Sequence, residues 1–139
     1  MEVRRRSCKL DDFKLLLANP KIECFNIQYD ATPEENQRFL DLGGKLVESS
    51  IQPLLNLDGF ATHLAGLDGV ISVDNSTVHL AAALGIPTLL LLSFPSASCW
   101  RWGTAEKETC IYPAIRKLRK SLGMTWASLL HENASEIRG

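Results

Sequence analysis

The polar side chains best suited to chemistry in this chain of 139 residues are concentrated in one short segment. They follow the apolar run Val70–Val73 directly and comprise Asp74, Asn75, Ser76, Thr77 and His79. A helix that begins in this segment leaves the backbone N–H groups of its first turn unpaired and carries a partial positive charge there. The hydroxyls of Ser76 and Thr77 add hydrogen-bond donors at the same place. The segment is therefore suited to binding a pyrophosphate.

Each of these residues also has a purely structural interpretation. Asp74 is predicted to accept hydrogen bonds from sugar hydroxyls, since its carboxylate would repel a phosphate, but Asp74 or Asn75 could instead cap the helix. His79 lies one turn into an otherwise apolar helix, where a histidine is commonly part of the core. A strand, a polar turn and a helix occur together in many α/β proteins. The pattern alone therefore favours binding and structure about equally.

Two further residues are candidates for contact with the same ligand. Gln28 ends the first predicted strand and could reach a nucleotide, with a simple turn residue as the alternative. Arg101 lies between Trp100 and Trp102 and could reach a diphosphate. The two tryptophans themselves are expected to pack within the domain.

Charge and hydropathy exclude some classes of partner. The net charge of −1 at pH 7 argues against a nucleic acid held by bulk electrostatics. The apolar stretch over residues 80–94 is too short and too broken at Gly85-Ile86-Pro87 to predict a membrane span. A late basic cluster is expected to form a solvated face, with a phosphate- or partner-facing patch as the alternative. It consists of Arg116, Lys117, Arg119 and Lys120.

The sequence predicts neither a cofactor nor a metal ion. It contains no glycine-rich dinucleotide loop and no Walker phosphate loop. Its four cysteines, Cys8, Cys24, Cys99 and Cys110, lack the close pairing of zinc ligands. No secretory signal is recognisable, so we expect reduced thiols and a cytoplasmic location.

Helices and strands alternate along the chain, as the hydrophobic periodicity and the capping residues indicate. Thr32-Pro33 is a strong helix start, and Asp58 is a plausible cap for the next helix. Helices are predicted over residues 10–18, 32–42, 58–67 and 76–84 and from about 125, and strands over 22–27, 45–48, 70–73 and 88–92.

This order predicts an α/β fold with a Rossmann-like parallel sheet and flanking helices. Right-handed crossovers would bring the strand ends Gln28, Asp74 and Ser93 to one edge of that sheet. Ligands of open α/β sheets bind beyond the carboxyl ends of the strands. The candidate site is therefore expected at this edge.

The segment from Asp58 to Pro87 resembles the C-terminal domain of the heptosyltransferase-like, family 9-type glycosyltransferases, including relatives fused to tetratricopeptide repeats. The central match consists of Asp74, His79-Leu80-Ala81, Ala83-Leu84-Gly85 and Pro87. Flanking matches in the same order are Arg6-Ser7, Ile27-Gln28, Phe60, Thr62, Leu67-Asp68, Trp100-Arg101-Trp102, Tyr112-Pro113 and Arg116.

The resemblance implies one half of a GT-B glycosyltransferase, in which two Rossmann-like domains face each other across a cleft. Residues 1–139 would form the single C-terminal-type domain, which holds a nucleotide-diphosphate sugar, and the N-terminal domain would be absent. That other domain would supply the acceptor site and the catalytic base. The resemblance also implies metal-independent, inverting transfer. We expect the isolated chain to show no sugar transfer, because half of the cleft is missing.

Two departures from the family pattern put the donor and the activity in doubt. Asn75 replaces the usual threonine after the aspartate, and Ser76 stands where a glycine or another small residue is common. Asn75 could still donate a hydrogen bond to a phosphate. The alternative function is a non-catalytic nucleotide- or sugar-binding module, and a nucleotide-sugar epimerase is a third possibility. Neither the donor nor the acceptor follows from the sequence.

Overall fold

A computed structural model describes residues 8–47, 55–93, 100–103 and 111–133. The Arg6-Ser7 match, Glu48 at the end of the second predicted strand, and the thiols of Cys99 and Cys110 lie outside these residues.

The first part of the chain forms two short helices and two short strands. A 3-10 turn over Leu10–Phe13 continues into helix α1, Lys14–Leu17. Strand β1 is Phe25–Asn26, helix α2 is Pro33–Asp41 and strand β2 is Lys45–Leu46. The first strand is thus shorter than the predicted 22–27.

Helix α2 begins where the sequence predicts, because its first turn carries a complete capping box. The Thr32 hydroxyl accepts a hydrogen bond from the Glu35 amide at 3.2 Å. The Glu35 carboxylate in turn accepts one from the Thr32 amide at 2.9 Å. Pro33 occupies the first helical position, where its missing N–H leaves no donor unpaired.

The second part of the chain contains the longer elements. They are α3 at Leu57–Ala65, β3 at Val70–Val73, α4 at Ser76–Ala83, β4 at Thr88–Leu92, β5 at Ile115–Arg119 and α5 at Trp126–Glu132. Asn56, and not the predicted Asp58, caps α3, since its side chain accepts from the Gly59 amide at 2.8 Å. Asp58 lies within the first turn instead. Helix α4 stops at Gly85, whose φ of +76° is the left-handed conformation that ends many helices.

Strands β3, β4 and β5 form a parallel sheet in that order. Val70 of β3 is opposite Thr88 of β4, and Thr88 is opposite Ile115 of β5. The parallel pairing of β3 with β4, and of β4 with β5, confirms the predicted parallel sheet. Strand β5 was not predicted, because its alternating basic residues are not typical of a buried strand.

Strands β1 and β2 pair in parallel with each other and form a separate two-stranded sheet. The prediction that Gln28 and Asp74 share one sheet edge is therefore wrong. The two units meet through side chains, because Ile27, just after β1, packs against the cluster that contains Val70. The segment next to Gln28 therefore contacts the larger sheet by hydrophobic packing and not by backbone hydrogen bonds between strands.

The larger sheet is covered on both faces, which makes every residue of β4 buried. Leu90 and Leu92 pack on one face with Val78 and Ala82 of α4. Leu89 and Leu91 pack on the other face against residues of α5, among them Trp126 and Leu129. A continuous apolar strand is the expected consequence of burial on both faces.

No helix in the described part of the chain is long and apolar enough to span a bilayer. Of the described cysteines, Cys8 and Cys24 are free and partly buried.

We expect Leu90→Ala to lower the free energy of unfolding by about 2–5 kcal/mol, because the Leu90 side chain is 0% exposed at the centre of β4. Leu122→Ala is the matched control, since Leu122 is 84% exposed and its loss should change stability by less than about 0.5 kcal/mol. Urea denaturation of the 139-residue chain measures both. Equal losses in the two variants would contradict the two-sided burial of β4.

Candidate functional site

The polar segment after β3 forms a tight turn that leads directly into α4. Asn75 is the N-cap, with an extended backbone at φ −152° and ψ 177°. Its Oδ1 atom accepts a hydrogen bond from the Val78 amide at 3.2 Å, and its Nδ2 atom donates to the Ser72 hydroxyl at 2.9 Å. Both ends of the Asn75 side chain are therefore used to shape the turn.

The capping by Asn75 leaves the first two amides of α4 without an acceptor among the described residues. These amides belong to Ser76 and Thr77, which occupy the first two helical positions. The nearby Asp74 carboxylate is half-buried and forms no hydrogen bond or ion pair with the described part of the chain. Two N–H donors, two hydroxyls and a carboxylate thus meet at the carboxyl end of β3.

His79 lies one turn further along α4 and is held in a cluster of three aromatic rings. Its Nδ1 atom is 3.2 Å from the Tyr112 hydroxyl, with which it shares a hydrogen bond. The imidazole stacks on Trp102, with ring centroids 5.0 Å apart and planes inclined by 27°. The Tyr112 ring meets the imidazole edge-on at 5.6 Å. We call His79, Trp102 and Tyr112 the aromatic cluster.

Two basic residues of β5 hold the turn that carries Trp102. The Lys117 ammonium donates to the Trp102 carbonyl at 2.6 Å, and the Arg119 guanidinium donates to the Gly103 carbonyl at 2.8 Å. Lys117 and Arg119 are two residues apart on a strand, so they point to the same face of the sheet. We call these two bonds the basic clasp.

The basic clasp corrects the expectation of a solvated basic face. Lys117 is only 1% exposed, whereas Arg116, on the opposite face of the same strand, is exposed. A buried ammonium is tolerated only where hydrogen-bond acceptors surround it. Lys120, just beyond β5, is half-buried and lies over the Trp126 ring, with its Nζ atom 4.7 Å from the ring centroid.

One buried polar atom in the aromatic cluster has no hydrogen-bond partner within the described residues. It is the indole Nε1 of Trp102, a residue that is 1% exposed. Leaving such a donor unpaired costs about 1–3 kcal/mol. The packing of the Trp102 ring against Val78, Leu90 and Ile115 opposes that cost.

The other two candidates lie apart from the turn. Gln28 is exposed, beyond the two-stranded sheet, and its amide donates to the Asn26 side chain at 3.0 Å, as in a simple turn. Arg101 is exposed in the 3-10 turn Trp100–Trp102, next to the ring that stacks on His79. Arg101 therefore lies next to Trp102, which belongs to the aromatic cluster. Gln28 instead follows β1, which belongs to the two-stranded sheet.

Sequence reasoning missed the roles of Tyr112 and Lys117. Tyr112 entered the sequence analysis only through the Tyr112-Pro113 match, and its hydrogen-bond partner His79 is 33 positions away. Neither local periodicity nor spacing reports such a contact. The signal that did exist was the joint occurrence of the Trp-Arg-Trp and Tyr-Pro segments in the family resemblance.

The described cysteines are poor candidates for chemistry. Burial, and secondarily the nearby Asp12 carboxylate, raises the pKa of Cys8 to about 12. Burial also raises the pKa of Cys24 above its ordinary value. A thiol and not a thiolate is then present at neutral pH, and only the thiolate is a strong nucleophile or metal ligand. No group of three His, Cys, Asp or Glu residues within the described ranges is arranged to hold a metal ion.

The described part of the chain has parallel strands, helices on both faces of the larger sheet and a polar turn at the carboxyl end of β3, which is the architecture of a Rossmann-like half of a GT-B glycosyltransferase. The profile of glycosyltransferase family 9 (heptosyltransferase) matches residues 29–124, and the chain belongs to that family. The match begins three residues after the end of β1 and includes the turn after β3, the aromatic cluster and all of β5.

One curated relative is similar to part of this chain. It is lipopolysaccharide heptosyltransferase 1 of Pseudomonas aeruginosa, 32% identical over 106 residues, with 62% of this chain and 28% of that protein covered. The aligned part thus spans a little over a quarter of the relative's length. No solved structure matches the chain.

We expect Asn75→Ala to lower the free energy of unfolding by about 0.5–2 kcal/mol, because it removes the acceptor for the Val78 amide. Asn75→Asp keeps that acceptor and places a negative charge at the start of α4, so it should retain most of the stability. Thermal unfolding of both variants beside the wild type measures the difference. If the two substitutions had the same effect, the capping role of Asn75 would be refuted.

Proposed function

We propose that this chain is the C-terminal-type domain of a family 9 glycosyltransferase and binds its nucleotide-diphosphate sugar donor at the carboxyl end of β3. The observation that carries the proposal is the pair of amides, those of Ser76 and Thr77, which have no acceptor among the described residues although Asn75 caps the helix. Membership of the family supports the same conclusion independently.

The donor's diphosphate is assigned to the first turn of α4. Each amide that donates to a charged phosphate oxygen contributes about 1.5–3 kcal/mol where water is excluded, and the partial positive charge of the helix end adds roughly 0.3–1 kcal/mol. The Ser76 and Thr77 hydroxyls are proposed as further hydrogen-bond donors to the same diphosphate. Asn75 takes part through its backbone amide, since its side chain is engaged within the turn.

The sugar and the remaining donor contacts are assigned to the other candidate residues. The half-buried Asp74 carboxylate accepts from sugar hydroxyls, since a carboxylate next to a pyrophosphate would repel it. His79 donates to the donor from the face of α4 that it shares with Ser76, three residues earlier. Arg101 and Gln28 are proposed as outer contacts to the diphosphate and the nucleotide.

The reaction proposed is metal-independent transfer of the sugar to an acceptor. Helix amides and basic side chains would stabilise the leaving diphosphate in place of a metal ion. The catalytic base and the acceptor site would come from a second, N-terminal-type α/β domain across the cleft. We also propose a cytoplasmic location and kinship with the tetratricopeptide-fused members, for which Trp100–Trp102 and Tyr112-Pro113 are the supporting residues.

A binding module without catalysis is the second candidate, and one observation favours it. The Asn75 side-chain oxygen and one of its two N–H groups are engaged within the turn, so a single N–H is left for a phosphate, whereas the family pattern has a threonine at this position. Such a module would still use the amides of α4. It would bind the nucleotide without transferring a sugar, even with a second domain present.

The decisive experiment removes one amide without disturbing the helix. We expect Ser76→Pro to weaken binding of a nucleoside diphosphate by roughly 10- to 100-fold, the equivalent of one charged hydrogen bond. Proline is well accepted at the first helical position, and the extended backbone of Asn75 is the conformation that precedes proline. Calorimetric titration with ADP, GDP and UDP measures the affinity.

Ser76→Ala is the matched control for this substitution. It keeps the amide and removes only the hydroxyl, so it should lose far less affinity than Ser76→Pro. Melting curves show whether both variants are folded. Undiminished affinity in a well-folded Ser76→Pro protein would refute the proposed phosphate site, and no binding of any of the three nucleotides by the wild type would refute the proposed function.

A further inference from the structure

We propose that Tyr112 is a positioning residue that fixes His79 as the tautomer with its proton on Nε2, so that α4 presents a defined N–H donor. The proposal rests on the proposed function only for the identity of the ligand that this N–H meets. The tautomer itself follows from contacts within the chain.

The direction of the hydrogen bond between the two side chains can be assigned from their chemistry. The Tyr112 hydroxyl and His79 Nδ1 are 3.2 Å apart. Among the described residues the hydroxyl has no other acceptor for its proton, and a neutral imidazole nitrogen is an acceptor or a donor according to its tautomer. A phenol O–H is a stronger donor than a neutral imidazole N–H, and an imidazole nitrogen is a stronger acceptor than a phenol oxygen, so we assign the O–H as donor and Nδ1 as acceptor. The imidazole proton is then on Nε2.

The aromatic cluster restricts the ring as well as its proton. The imidazole stacks on Trp102 with centroids 5.0 Å apart, while Tyr112 contacts it edge-on at 5.6 Å. Turning the ring by half a revolution would remove Nδ1 from the hydroxyl and place a carbon there. One ring orientation therefore keeps the hydrogen bond, and the other loses it.

The basic clasp extends this restraint to β5. The Lys117 and Arg119 side chains hold the carbonyls of Trp102 and Gly103, which sets the position of the indole against the imidazole. The restraint on His79 thus comes from residues 23 to 40 positions away in sequence.

The remaining nitrogen, Nε2, makes no hydrogen bond to the described residues. As His79 and Ser76 are three residues apart on α4, they lie on the same helical face. An Nε2–H would therefore add a neutral donor on the helical face that carries Ser76, one turn beyond the first amides of α4. This arrangement suits an anionic oxygen better than a tautomer with a bare Nε2 acceptor would.

The test is a two-bond proton–nitrogen correlation spectrum of the ¹⁵N-labelled chain at alkaline pH, where a free imidazole is neutral. We expect the His79 signals to report one tautomer with the proton on Nε2. His63 and His131, which have no such tyrosine contact, serve as internal references for an unrestrained imidazole. Loss of signals in His79→Gln assigns the resonances.

Tyr112→Phe removes only the hydroxyl and keeps the ring that packs in the cluster. We expect this variant to melt close to the wild type, while its His79 signals shift towards the tautomer mixture of His63 and His131. A nucleoside diphosphate should also bind several-fold more weakly. A wild-type His79 that resembles the two references, or one that Tyr112→Phe leaves unchanged, would overturn the proposal.

The spectrum separates this proposal from the proposed function. If the wild type binds no nucleotide but shows a single His79 tautomer that Tyr112→Phe abolishes, the function fails and the positioning role stands. If nucleotides bind equally to wild type and Tyr112→Phe, and the tautomer is unchanged, the positioning role fails and the function stands.

Discussion

The buried ammonium of Lys117 is the constraint on which the candidate site depends. A charge that is 1% exposed must have acceptors, and the Trp102 carbonyl at 2.6 Å is one of them. Satisfying the ammonium places the Trp102 turn over β5, and this places the indole against α4. This bond acts together with the packing of the indole against Val78, Leu90 and Ile115 to hold Trp102 beside His79. Truncating Lys117 would leave the Trp102 carbonyl without this donor as well as removing a charge.

The parallel sheet supplies the second constraint, because β4 is buried on both faces. Helix α4 covers one face with Val78, Ala81 and Ala82, whose small side chains let the helix approach the strands closely. The turn at Asp74 is held at one end by the β3 ladder and at the other by the Asn75 cap. The first amides of α4 are therefore held in place by the β3 ladder and the Asn75 cap.

These two constraints bring together groups that suit the donor half of a family 9 glycosyltransferase. The amides and hydroxyls of the first turn of α4 suit a diphosphate, and the proposed Nε2–H of His79 would add one more donor. The two departures from the family pattern, Asn75 and Ser76, lie in the turn and at the start of α4, where Asn75 caps the helix with its side chain.

The sequence by itself determined the parallel α/β class, the turn after β3 and the start of α2 at Thr32. Each of these depends on neighbours within a few residues: apolar runs, capping side chains and a proline. It also pointed to the family, through short motifs in a fixed order. It could not show that β1 pairs with β2 instead of joining the larger sheet, because strand pairing depends on which surfaces pack together.

Only the tertiary structure decided which partners the basic residues of β5 and Tyr112 bond to. The pattern of Lys117 and Arg119 is that of a solvated face, and burial reverses it because distant carbonyls accept their hydrogen bonds. The bond between His79 and Tyr112 spans 33 positions and exists only once β5 has paired with β4. Local signals specify local hydrogen bonds, whereas long-range contacts depend on how the packed sheet brings distant segments of the chain together.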